Sequence, residues 1–107
     1  MMLQKTFPDG IWLVDFEFRP ECGVNGSNPQ ILCLVAREYF SGQRIEIWTD
    51  DLVRLKTAPF PTGEQSLLVA YYASAEIGAF LALGWEVPSN ILDLFIVFRS
   101  CLLYTSD

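Results

Sequence analysis

The sequence predicts an α/β domain, a mixed sheet with helices packed on it, in the order β-β-β-α-β-α-β. Three observations lead there. Apolar residues make up 51% of the 107 positions and aromatics 14%, enough for a packed core in one small domain. Three apolar or alternating segments follow one another early, separated by turn residues, as in an antiparallel meander. A later apolar segment, a run of helix formers and a further apolar segment then form a β-α-β unit, which calls for parallel pairing through a right-handed crossover.

Residues 11–18 (IWLVDFEF) open as a continuous apolar run and then alternate, the pattern of a buried central strand. Residues 19–30 are dense in Pro, Gly, Asn and Ser and read as a loop. Residues 31–40 form the second strand, 41–43 a turn, and 44–49 (RIEIWT) the third strand. Asp50 and Asp51 suit a helix start, so 51–56 is expected as a short helix, broken by Ala58-Pro59-Phe60-Pro61. Residues 67–72 (LLVAYY) are the next strand. Ser74 is the expected N-cap of a helix over 75–83, and Gly84 suits its C′ position. Residues 91–98 (ILDLFIVF) read as a strand, a helix start, or one passing into the other.

Composition removes several kinds of chemistry. The sequence has no His, which excludes Ser-His-Asp and Cys-His catalysis. Cys22, Cys33 and Cys101 are widely spaced, without the CxxC pairing of a zinc site or a disulfide framework. A net charge of −6 disfavours a nucleic-acid-coating domain, yet suits a site where carboxylates hold divalent cations that attract phosphate. No apolar run has transmembrane length and no signal peptide opens the chain, so a cytoplasmic protein without membrane attachment is expected.

The candidate chemistry lies in carboxylates. Asp15 and Glu17 stand two apart on one strand and therefore share a face, where two unpaired charges repel unless a cation lies between them. Asp-x-Glu is a common spelling, but here it ends a strand that Ile11-Trp12-Leu13-Val14 make central. Glu76 falls in the first helical turn after the fourth strand, either as a ligand or as a charge placed for the helix dipole. Asp93, flanked by Leu92 and Leu94, needs solvent or a partner, and a capping role is equally open.

This order resembles the 3′→5′ exonuclease superfamily with carboxylates in three motifs, a ribonuclease-H-like fold. It is most similar to the proofreading domain of bacterial and phage family A DNA polymerases. The resemblance rests on Trp12-Leu13-Val14-Asp15-Phe16-Glu17-Phe18, on Cys33-Leu34-Val35-Ala36, and above all on Val69-Ala70-Tyr71-Tyr72-Ala73-Ser74-Ala75-Glu76, with Leu83-Gly84-Trp85 and Ile91-Leu92-Asp93-Leu94-Phe95. It implies two divalent ions, Mg²⁺ or Mn²⁺, held by Asp15, Glu17 and Glu76, with Asp93 in support. Asp15 would bridge the ions and Glu17 would hold the one that activates water. Tyr72 stands where the family's second motif commonly has Asn, and Glu76 where it has Asp. The implied substrate is the 3′ end of single-stranded DNA, for which Phe16 and Phe18 are stacking candidates, and the implied partner is a downstream polymerase domain. A free-standing RNA-trimming nuclease and a non-catalytic module of the same fold are the alternatives.

The family's third motif, Tyr-x-x-x-Asp or its His variant, does not occur before residue 100, and Tyr104 and Asp107 are three apart rather than four. The chain is therefore read as a partial exonuclease domain over 1–100, short of its last helices. Residues 101–107 back-translate to a sequence similar to a transposon end used in sequencing libraries, and are read as a non-native tail.

Overall fold

The computed structural model describes residues 2–19 and 30–105, the side chains of 102–105 excepted. Cys22, most of the loop expected at 19–30, and the Tyr104 and Asp107 side chains lie outside them. The described residues form α1 (Met2–Thr6), β1 (Gly10–Phe18), β2 (Ile31–Glu38), β3 (Arg44–Trp48), α2 (Thr49–Leu52), β4 (Ser66–Ala70), α3 (Ala73–Leu83), β5 (Ile91–Asp93) and α4 (Leu94–Thr105).

The five strands make one mixed sheet in the order β3-β2-β1-β4-β5. The meander pairs antiparallel, with Val14 opposite Ala36 and Phe16 opposite Leu34. β4 pairs parallel to β1, and β5 parallel to β4. This is the expected α/β class. Alternation along β1 sends Trp12, Val14 and Phe16 into the core and Leu13, Asp15 and Glu17 outward.

The core lies between the inner face of the sheet, α3 and the Pro-rich loop before β4. Phe80 is fully buried, with its ring against Phe16 at 5.9 Å, Phe60 at 6.1 Å and Trp85 at 5.3 Å between centroids. Trp12 stacks on Phe60 at 5.5 Å. The Trp85 indole N–H donates to Leu55 O at 3.1 Å, which satisfies the one polar atom of a buried ring.

At the far end of the sheet, Glu38 is buried as a structural carboxylate. Its oxygens accept from the amides of Ile11 (2.9 Å) and Ser41 (2.7 Å). Burial pushes its pKa up, but the N–H donors of Ser41 and Ile11 outweigh that, and the net shift is downward. Gly10 passes tightly beside it at φ +112°, where a Cβ would meet Trp12 Nε1 at 2.8 Å and Glu38 Cγ at 2.9 Å. Gly10→Ala is expected to lower unfolding stability by about 1–3 kcal/mol in denaturant titration, through backbone strain and displaced side chains.

Several expectations need correcting. α1 was not expected; its five residues carry no apolar periodicity and none is buried. The short helix near 51–56 is a single turn over Thr49–Leu52, with Val53 as its C-cap. Ser74 does not cap α3, as it lies within it, and the N-cap is Tyr72. For residues 91–98 the third of the expected readings holds, a strand passing directly into a helix.

Candidate functional site

The site forms where β4 parts from β1. Their pairing ends at Leu13 opposite Val69, so the edge of β1 from Asp15 onward is free of β4. The first turn of α3 takes its place. Glu76 is 4% exposed, and its Oε1 accepts the Phe16 amide at 3.2 Å, a bond across 60 residues. Its Oε2 is buried without a hydrogen-bond partner. A buried carboxylate oxygen left unpaired is costly unless a proton or a cation joins it.

The electrostatics follow from that placement. Burial pushes the Glu76 carboxyl up. The Phe16 N–H offsets part of this, and the charges of Asp15 and Asp93 add to the rise. The helix dipole favours an ionised Glu at this position by a few tenths to about 1 kcal/mol, too little to reverse the effect of burial. Glu17 is also pushed up, first by a hydrogen bond shared with the Asp15 carboxyl and then by its charge. Asp15 and Glu17 are thus close neighbours on the open face, and Glu76 is near enough to feel Asp15.

Asp93 acts through the backbone. Its Oδ1 accepts the amides of Tyr72 (3.0 Å) and Phe95 (2.9 Å), and its Oδ2 accepts that of Ala73 (3.0 Å). One carboxylate therefore caps α3 from another strand and α4 locally. Desolvation pushes Asp93 up, but its donors at Ala73, Phe95 and Tyr72 outweigh that and hold it below the usual range. Tyr72 has φ +66°, a conformation costly for a bulky residue. Asp93 holds its amide, and Phe95 meets its ring edge-on at 5.3 Å.

The two aromatic candidates separate. Phe16 is 3% exposed and packs on Phe80 and Trp85, so its ring serves the core and offers no face to a substrate. Phe18 is half-buried and lines a cavity of about 660 Å³ beside Ser74, Ala75 and Gly78. The Phe16 amide is the participant that sequence reading missed. No side-chain pattern marks a backbone donor; the available signal is that the fourth apolar run is shorter than the first.

The donor set of Asp15, Glu17 and Glu76 is entirely carboxylate oxygen, the chemistry that hard divalent cations prefer. A bound cation would relieve both the unpaired Glu76 Oε2 and the repulsion between Asp15 and Glu17. Among the described residues, no three His, Cys, Asp or Glu side chains are grouped closely enough to hold one by themselves. Among the same residues, no helix is long and apolar enough to cross a membrane.

No family model matches this sequence, and no curated protein matches it. Among solved structures, the chain is similar to the EXO domain of Nibbler from Aedes aegypti, with a TM-score of 0.62 and 16% identity. That alignment covers 99% of this chain and 52% of the other, so the chain spans about half of the domain it resembles. The likeness is one of fold, and it agrees with the ribonuclease-H-like mixed sheet expected from the order of strands and helices.

Proposed function

We propose that this chain carries part of a metal-dependent 3′→5′ exonuclease domain that hydrolyses phosphodiester bonds at nucleic-acid 3′ ends. The observation that carries the reading is Glu76, buried against the free edge of β1 with one oxygen on the Phe16 amide and the other unpaired. The fold likeness to an EXO domain supports it. The resemblance of residues 69–76 and 91–95 to proofreading domains puts single-stranded DNA first as substrate and a polymerase module as the partner.

Asp15, Glu17 and Glu76 would hold two divalent ions, Mg²⁺ or Mn²⁺. Bound ions supply a water of lowered pKa and a stabilised leaving oxygen. The chain's own work is placement. β1 sets Asp15 and Glu17 on one face, the Phe16 amide orients Glu76, and Asp93 fixes the turn that delivers it. Asp93 is a positioning residue, since both its oxygens are engaged by amides.

The test is Mn²⁺ binding by the 107-residue chain, followed by electron paramagnetic resonance. The wild type is expected to bind Mn²⁺ and Asp15→Asn to lose that binding while its far-ultraviolet circular dichroism stays unchanged. Equal Mn²⁺ affinity in both would sink the assignment. With no third-motif carboxylate before residue 100, nucleotide release from 3′-labelled oligonucleotides is expected to be slight or absent. Asp15-dependent release at an ordinary enzymatic rate would show that the site needs no such ligand.

A further inference from the structure

The register of the meander puts an exposed indole in line with the carboxylate pair. Glu17 lies opposite Cys33 on β2, and Cys33 opposite Trp48 on β3. Residues directly opposite share a face, so Glu17, Cys33 and Trp48 form one row across the outer side of the sheet. Two strand spacings, about 10 Å, separate its ends. Cys33 is buried between them, and burial first, then the charges of Glu17, Glu46 and Asp15, pushes its thiol up, as that position requires.

Trp48 is 53% exposed, whereas Trp12 and Trp85 are 5% and 3% exposed. It lines a cleft of about 420 Å³ with Arg19, Gln30, Thr49 and Asp50. The cleft wall is fixed from within, because the Thr49 hydroxyl reaches Ile31 O at 2.8 Å and Leu32 O at 2.7 Å. Arg19 enters no ion pair among the described residues.

We propose that this cleft binds a nucleotide of a single strand whose 3′ end lies at the carboxylates, with its base stacked on Trp48 and Arg19 taking an adjacent phosphate. The proposal rests on the nuclease reading for its direction, since the row ends at Glu17. An indole face accepts any base, and a guanidinium suits phosphate. Gln30 and Asp50 offer hydrogen-bonding groups for base edges. The length of the row assigns the cleft to a neighbouring nucleotide rather than to the one removed. The carboxylates of Asp15 and Glu17 repel a phosphate until cations arrive, while the Arg19 side chain, lining the cleft beside Trp48 and Asp50, offers a guanidinium to one there.

The test uses the 107-residue chain, Mg²⁺ and a fluorescein-labelled oligothymidylate of about eight nucleotides, within the usual site size of a single-strand binder. Trp48→Ala is expected to weaken binding, read by anisotropy, roughly tenfold, and Trp48→Phe to restore most of it, since stacking survives on a smaller ring. Arg19→Ala is expected to lower the slope of log affinity against log salt by about one. Quenching of tryptophan emission by the oligonucleotide should vanish in Trp48→Phe, because the other two indoles are buried. Unchanged affinity in Trp48→Ala, or no binding by the wild type, overturns the proposal. Parallel Mn²⁺ titration separates the two readings. Asp15-dependent Mn²⁺ binding with Trp48-independent oligonucleotide binding removes the cleft and leaves the nuclease. Trp48-dependent binding without Asp15-dependent Mn²⁺ binding keeps the cleft as a single-strand site and removes the nuclease.

Discussion

Glu76→Gln is expected to abolish Mn²⁺ binding and, in metal-free buffer, to raise the thermal midpoint of unfolding at neutral pH. Both effects come from one atom. The buried Oε2 has no partner, so an ionised Glu76 is penalised in the folded state. Its folded pKa lies above its unfolded one, so the native state holds the proton longer. Stability without metal therefore declines as pH rises from about 4.3, the ordinary Glu value, through the raised folded value, and levels off above it. Gln is neutral throughout, so this part of the slope disappears. It can keep the Phe16 contact by turning its carbonyl oxygen to the amide. A divalent ion should relieve the same penalty in the wild type, so added Mg²⁺ should raise its midpoint more at pH 7 than at pH 5. Thermal scans at both pH values, with and without Mg²⁺, check this. A midpoint in Glu76→Gln below the wild type at pH 7 without metal would show that Glu76 is held by contacts other than those described.

Phe80→Ala is expected to cost about 3–5 kcal/mol, a large share of the 5–15 kcal/mol that holds a typical domain. The ring is fully buried among Phe16, Phe60 and Trp85, on a helix and a Pro-rich loop that cannot both collapse into the void. Phe80 lies one helical turn beyond Glu76, so the damage extends to the site. Denaturant titration should show either a midpoint shift of that size or no cooperative transition. Phe80→Leu should cost distinctly less, because it keeps most of the buried carbon. Equal losses in the two variants would point to the helix itself rather than to its packing.

The strands were legible because their physics is local. Alternation in β1 and β3 and the short turn at 41–43 already encode the faces, the meander and the shared side of Asp15 and Glu17. Glu76 was legible as a first-turn carboxylate, but its depth was not. Burial arises because β4 stops short of β1's end, a tertiary fact. Ser74 was the wrong cap for a related reason. The amides at the start of α3 are met by Asp93, 20 residues downstream, and no local pattern competes with a partner from another strand. Phe16 and Trp48 show the value of strict period-two reading. Counting outward from Ile45 and Ile47, which face the core, places Trp48 outside, and the same count from Val14 places Phe16 inside.

Asp93 has a consequence for how the chain comes off the ribosome. The amides it caps at Tyr72 and Ala73 are synthesised up to 21 residues before it. At ordinary elongation rates that interval is on the order of one to four seconds. Through it the Tyr72 and Ala73 amides lack the carboxylate that caps them in the folded chain. The capped helix start that carries Glu76 to the Phe16 amide is complete only once Asp93 is in place. Assembly of the acidic centre is timed by the arrival of a residue that never joins it.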